Sequence, residues 1–187
     1  MYPTGPTYAL ALLTAPEEVE PVVPEIIDVY RAAFGAPGYD ETEETVAHFG
    51  HEQLPRHVRR EGFRLVLARA ADGRAVGFGY GHTGRPGQWW CDRMRDRLPT
   101  EIADTWLGGH FEVVELGVRP EAQRRGIGAA LHDALLADLP HDRALLTTWR
   151  DDRPARRLYL RKGWRPLADI VEDDASLLGV RLPTHPR

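Results

Sequence analysis

The segment from His110 to Leu139 constrains this chain more than any other. It opens with an apolar, β-branched run, Phe111-Glu112-Val113-Val114-Glu115-Leu116-Gly117-Val118, that reads as a strand. It then turns through Arg119-Pro120-Glu121-Ala122-Gln123-Arg124-Arg125-Gly126-Ile127-Gly128-Ala129. A helix is predicted from Arg125 to about Leu139, with Leu131, Leu135 and Leu139 on one face. The first N–H groups of a helix have no partners inside it and lie at the positive end of its dipole. Gly126 and Gly128 carry no side chain to hold a ligand off the backbone, and Arg124 and Arg125 add charge beside them. This combination is a cradle for a pyrophosphate. The alternative is an ordinary strand–turn–helix junction with solvated arginines.

Two other phosphate motifs fail. No Gly-x-x-x-x-Gly-Lys-Ser/Thr occurs. Gly79-Tyr80-Gly81-His82-Thr83-Gly84 has the literal Gly-x-Gly-x-x-Gly spacing, but Arg85-Pro86-Gly87 follows and no helix opens there. Those glycines read as a strand end.

The remaining pattern is strand, two helices, two strands, an irregular stretch, and then the segment above. Tyr8–Leu13 is a short strand. Ile26, Val29, Tyr30 and Ala33 share one helical face, Gly35 is a stop, and Pro21 and Pro24 delay the regular helix to about Glu25. A second helix has Thr42 as its cap and Val46, Phe49 and Leu54 on one side, and Pro55 should end or kink it. Two strands flank Ala71-Asp72-Gly73-Arg74, a tight hairpin signal. Between Gly84 and Gly109 lie Trp89, Trp90, Met94, Leu98, Ile102 and Trp106, with Thr100 as a cap at a restart: an inserted pair of short helices at about 85–109. After the cradle come a buried strand in Ala144–Trp149, a short helix stopped by Gly163, and one or two strands around an acidic turn at Asp173-Asp174. The order implies an α/β fold of the α+β type, with a sheet antiparallel early and mixed late.

Composition sets outer limits. At 187 residues the chain is long enough for one domain with its own core, taken as residues 1–187. With 42% hydrophobic and 28% charged residues it is neither a membrane-embedded nor a wholly disordered protein. Cys91 is the sole cysteine, which excludes an internal disulfide and a Cys-based zinc site and fits a reducing compartment. A net charge of -4 argues against a general nucleic-acid binder. The apolar run Tyr8–Leu13 is too short to span a bilayer, and the first basic side chain is Arg31, so no signal peptide is read and cytoplasm is the expected location.

Two blocks in register resemble the GNAT superfamily of N-acetyltransferases. The first is Val118-Arg119-Pro120 followed by Gln123-Arg124-Arg125-Gly126-Ile127-Gly128. The second is Asp152-Arg153-Pro154-Ala155, Leu158-Tyr159 and Gly163-Trp164. Asp152 stands where the family usually has Asn, and Trp164 where it usually has Phe. The resemblance covers nearly the whole chain except the Trp-rich insertion. It implies a single domain with a mixed central sheet, splayed strands and flanking helices. It also implies an acetyltransferase that uses acetyl-CoA, no metal, and a small-molecule or peptide amine, with no nucleic-acid or membrane partner; a homodimer is compatible with it.

The resemblance further implies residue roles. The amides of Gln123, Arg124, Arg125, Gly126, Ile127, Gly128 and Ala129 would hold the pyrophosphate of coenzyme A. Leu116, Gly117 and Val118 would pair with pantetheine, and Asp152, Ala155 and Tyr159 would line its path, with Asp152 also able to cap the following helix. Arg156, Arg157, Arg161 and Lys162 either reach the 3′-phosphate or form a solvated basic face. Tyr159 matches the family's general acid; the alternative is core packing. For the base, Glu112 and Glu115 fall on opposite faces of an unbulged strand, and both are retained with a preference for Glu115. His110 is a third candidate.

Other features carry alternatives. His48, His51 and His57 read as a solvated helix face rather than a metal site, and Cys91 as structural. The tryptophans form a satellite core or an acceptor lid. Residues 1–60 hold ten acidic and four basic side chains, either a wall that favours a cationic acceptor or a solubilising surface. The competing functional readings are a CoA-binding sensor without turnover, and an acyltransferase with a longer donor or a hydroxyl acceptor.

Overall fold

Hairpin chemistry and apolar periodicity assemble the first half of the chain. The computed structural model describes residues 8–183; the expected domain limits at residues 1 and 187 lie outside them. In chain order the elements begin with β1 (Tyr8–Leu13), α1 (Pro16–Val19), α2 (Val23–Phe34), α3 (Glu43–His48), α4 (Leu54–His57), β2 (Arg64–Ala70) and β3 (Ala75–Thr83). They continue with α5 (Trp89–Arg97), α6 (Thr100–Trp106), β4 (Phe111–Val118), α7 (Ile127–Leu136), β5 (Arg143–Trp149), α8 (Pro154–Arg161), β6 (Arg165–Ile170) and β7 (Ala175–Arg181).

The residues pack as two compact units. The first runs through Gly81 and takes up Val114–Ala137, so it contains the second half of β4, the cradle and α7. Its strands lie in the order β1-β2-β3-β4, with β1 antiparallel to β2 and β2 antiparallel to β3. The hairpin forms as predicted: Gly73 takes φ 85, and the Ala70 and Arg74 backbones bond at 2.9 Å. Ile26, Val29, Phe49, Leu54, Phe63, Leu65, Leu67, Phe78 and Tyr80 make its core.

The second unit comprises His82–Val113 and the residues from Asp138 onward, with strand order β4-β5-β7-β6. Here β4 runs parallel to β5 through the pairs Phe111–Ala144 and Glu112–Leu145, at the start of both strands, while β5 is antiparallel to β7 along its whole length. Cys91, Met94, Leu98, Ala103, Leu107, Leu145, Ile170 and Leu177 form its core, with Trp90 and Trp106 packed on them. The insertion is therefore a pair of short helices, α5 and α6, seated on the sheet residues Leu145, Ile170 and Leu177. Trp90 and Trp106 pack against this shared core, whereas Trp89 is 69% exposed. The α/β class and the mixed sheet stand as expected.

Four local expectations change. The α2 helix begins at Val23, because Pro24 falls in its first turn where no N–H is needed. Pro99 rather than Thr100 occupies the cap of α6. The α7 helix starts at Ile127 and ends at Leu136, since Gly126 is left-handed and Leu139, although buried, lies beyond the last turn. Pro55 does not stop its helix. A π turn over Phe49–Gln53, in which the Leu54 N–H reaches the Phe49 carbonyl, resets the ladder. Pro55 then sits in the first turn of α4 and the helical run continues to His57. Gly50 makes the turn fit: a Cβ there would lie 2.5 Å from Ile27 Cδ1 on α2.

Candidate active site

The cradle is built by backbone conformation and braced from behind. The Arg119 N–H donates to the Val76 carbonyl and its Nε to the Ala75 carbonyl, both at 2.9 Å, which ties the end of β4 to β3. A 3-10 turn at Pro120–Ala122 follows, and Gln123 Nε2 folds back to donate to the Val118 carbonyl at 3.1 Å. Arg124 and Gly126 are both left-handed, with φ 60 and 79. Alternation with left-handed residues turns successive N–H groups toward one side. Gly126 caps α7 without any side-chain bond, and the first amide to find a helical partner is that of Ala130, 3.0 Å from the Gly126 carbonyl. The amides of Ile127, Gly128 and Ala129 are thus the helix's unsatisfied donors. Arg124, Arg125 and Gly126 are exposed, and a Cβ at Gly126 would meet nothing within 4 Å. The corner fits a diphosphate: the first amides of α7 lack helical partners, Arg124 and Arg125 flank them, and the place of a Cβ on Gly126 is open.

Glu115 lies in β4, three residues before the end of the strand. Its side chain is partly buried, and Gln53 Nε2 donates to its Oε1 at 3.1 Å. The same nitrogen donates to the Tyr80 hydroxyl at 3.1 Å, and that hydroxyl meets His57 Nδ1 at 3.1 Å. Burial pushes the Glu115 carboxyl up to about 7; the Gln53 bond opposes that rise and the charge of Glu41 adds to it. Glu115 and Glu41 in turn add to the burial that drives the Tyr30 phenol far above its usual range.

The family model for the acetyltransferase (GNAT) family matches residues 23–164. The chain belongs to the GNAT acetyltransferase family. Among similar proteins, a GCN5-like protein acetyltransferase of Mycobacterium tuberculosis is 34% identical over 144 residues, 62% of this chain and 68% of that protein. A mycothiol acetyltransferase of Clavibacter sepedonicus is 36% identical over 114 residues, 58% of this chain but 29% of that longer protein. The crystal structure of a PaiA N-acetyltransferase from Thermoplasma acidophilum, in complex with coenzyme A, shares the fold at 14% identity. Its TM-score is 0.58, over 93% of this chain and 99% of that one.

As a GNAT member the chain is an N-acetyltransferase, and its other sequence-predicted residues distribute as follows. Leu116, Gly117 and Val118 close β4 beyond the pairs it makes with β5. In the second unit Tyr159 is buried on α8, its ring 5.8 Å from that of Trp164. Ala155 lies in the first turn of α8 and is partly buried. Asp152 does not cap α8. Arg153 holds the cap position without a side-chain bond, while the Asp152 carboxylate pairs with Arg157 at 2.9 Å and its carbonyl accepts from the same guanidinium at 2.6 Å. The negative charge that departs from the family pattern is thus matched locally.

Glu112, in the second unit, is buried at the start of β4, and its charge adds to the burial that raises the Cys91 thiol. That raised, buried thiol fits a structural role. His110 is fully buried and accepts from the Gly108 N–H at its Nδ1. Burial first, then Arg143, His82 and His141, hold its pKa down to about 3, too weak a base to deprotonate an ammonium. The linkage gives a stability prediction. The unfolded chain takes up this proton near pH 6.5 and the folded one only near 3. Between those values the unfolded state binds more protons, so stability falls as pH drops, by about 1.4 kcal/mol per pH unit from this group. Chemical denaturation of wild type and His110→Gln between pH 4 and pH 7 checks it: the variant's pH slope should be shallower by that amount.

Sequence reasoning missed Gln53, Tyr80 and Glu41, and misread His57. His48 and His51 are exposed as expected, with His48 near Glu52 at 3.4 Å, but His57 is buried. A signal was present: Val46, Gly50, Gln53 and His57 recur at helical spacing, so two polar side chains ride the apolar stripe.

Proposed function

We propose that this chain moves an acetyl group from acetyl-CoA to a primary amine by direct transfer in a ternary complex, residues 1–187 acting as one GNAT domain. The observation that carries the reading is the placement of Glu115, a carboxyl held by Gln53 on the strand that leads into the cradle, where burial raises it to about 7. An alkyl amine arrives as ammonium, with a pKa near ~10, and only its neutral form attacks a thioester. A base poised near the working pH suits that task.

In this reading Glu115, rather than Glu112, takes the ammonium proton. The amine nitrogen then forms its bond to the acetyl carbon as the carbon–sulfur bond breaks; Tyr159 gives its proton to the departing thiolate, and the second proton shed by the new amide nitrogen restores the phenol. The amides of Gln123 to Ala129, with Arg124 and Arg125, hold the pyrophosphate. Leu116, Gly117 and Val118 pair with the pantetheine chain, and Asp152 and Ala155 border it. Glu41 supports the acceptor class, since its charge acts on Glu115 and so makes the surroundings of the base favour a cation. Part of the remaining acidity of the first helices has local partners: Arg31 pairs with Asp28 and Glu43, and Arg69 with Glu25.

The test is acetyl-CoA turnover against a panel of primary amines, both small molecules and peptide N-termini, with matched alcohols alongside. Thiol release is expected with amines and not with alcohols, and kcat/KM should climb with pH through an apparent pKa near 7. Coenzyme A binding without turnover on any amine would make the chain a sensor instead. Transfer to alcohols alone would change the acceptor class.

A further inference from the structure

The GNAT reading uses Glu115 and leaves three polar side chains of the first unit without a task. Gln53 ends the π turn, Tyr80 is fully buried on β3, and His57 is buried on α4. The contacts run in series, each at 3.1 Å: Glu115 Oε1, Gln53 Nε2, Tyr80 hydroxyl, His57 Nδ1. An amide nitrogen has two N–H donors and accepts nothing. Both Gln53 bonds therefore point away from it, one to the carboxylate and one to the phenol oxygen. The reverse placement of the amide would set its oxygen against a carboxylate oxygen and repel it. The Tyr80 hydroxyl oxygen accepts from Gln53 and also meets His57 Nδ1, where the imidazole tautomer sets which of the two donates.

We propose that Gln53, anchored through Tyr80 to His57, is a positioning residue that holds one oxygen of Glu115 and leaves the other for the acceptor's proton. The proposal rests on Glu115 as the base. Gln53 does not move a proton itself, since an amide is a poor relay; it acts by fixing the carboxyl. The main-chain device behind it is the π turn, a feature that recurs at functional sites. That turn delivers Gln53 at its end and His57 four residues on, where Tyr80 can join them. The titratable groups acting on Glu115 are Tyr30 from α2 and Glu41 from the segment before α3, with Tyr80 and His57 beyond Gln53. Glu41 acts on Glu115 through its charge, whereas Gln53 donates a hydrogen bond to it, so removing Gln53 isolates the effect of that bond.

The experiment titrates the Glu115 carboxyl by 13C NMR in the full chain, with its signal assigned by loss in Glu115→Gln. Wild type should titrate near 7. Gln53→Met, which keeps the length and loses both donors, should raise that midpoint by about one unit. Tyr80→Phe removes one oxygen from a ring that stays packed. It should raise the midpoint by less, and the double variant should shift no further than Gln53→Met alone, because Tyr80 acts through Gln53. Acetyl-CoA affinity should be the same in all of them, which serves as the folding control. A Gln53→Met midpoint equal to wild type, or additive shifts in the double variant, would overturn the proposal while leaving the base assignment standing. A wild-type midpoint near 4.5 would overturn the base assignment, and the proposal with it.

Discussion

Glu115→Gln is expected to lower kcat/KM for amine acetylation by roughly two to four orders of magnitude, the range a positioned general base contributes. Gln matches Glu in shape, and its amide oxygen can still accept from Gln53 Nε2, so the 3.1 Å contact and the surrounding packing have no reason to change. What disappears is the lone pair that takes a proton. The pH profile separates this from a packing defect. Wild-type kcat/KM should rise with an apparent pKa near 7, whereas the residual rate of the variant should follow only the neutral fraction of the amine. Stability should move the other way. In the folded chain Glu115 keeps its proton to about 7, while its ordinary value is 4.5. Between those values the unfolded state has already released the proton, so the contribution of Glu115 to wild-type stability falls as pH rises through the window. Glu115→Gln does not titrate and escapes that loss. Above pH 7 it should be the more stable protein, and below pH 4 the two should be equal. A variant that is less active and also less stable at pH 8 would point to damage rather than to a lost base.

The elements of the chain were legible because local chemistry set them. Asp72-Gly73 closes its hairpin, Thr42 caps α3 by accepting the Thr45 N–H at 3.2 Å, and the apolar faces of α2 and α3 are the buried ones. The two motif blocks named the family because they are short, polar and tied to one ligand chemistry. The parts that escaped depend on contacts between residues far apart in the chain. Gln53 and Glu115 are 62 positions apart, and Gln53 and Tyr80 are 27 apart. Nothing along the sequence pairs them. The π turn was also hidden, since one extra residue in a helix leaves no compositional mark beyond a glycine and a proline that each have commoner explanations. Strand parity alone could not rank Glu112 and Glu115. Burial and hydrogen bonding distinguish them, and both are tertiary properties.

Gly126→Glu is expected to weaken acetyl-CoA binding by at least ~100-fold while the fold survives. Three effects act together at this position, and two of them oppose each other. Gly126 has φ 79, so any side chain there costs about 1–2 kcal/mol of backbone strain. A carboxylate at the start of α7 regains part of that from the helix dipole and from the free amides of Ile127 and Gly128. The net change in stability should therefore be small. For the ligand both consequences are adverse, because the same carboxylate that satisfies those amides occupies the place of the pyrophosphate and repels its charge. Gly126→Ala isolates the strain. Its Cβ meets no protein atom within 4 Å, and it brings no charge, so its affinity should fall by less than about tenfold. Isothermal titration with coenzyme A on both variants, beside thermal unfolding, reads the two effects separately. If Gly126→Glu bound coenzyme A as tightly as wild type, the amides that open α7 would not be the anion's seat, and the donor would have to be held elsewhere on the chain.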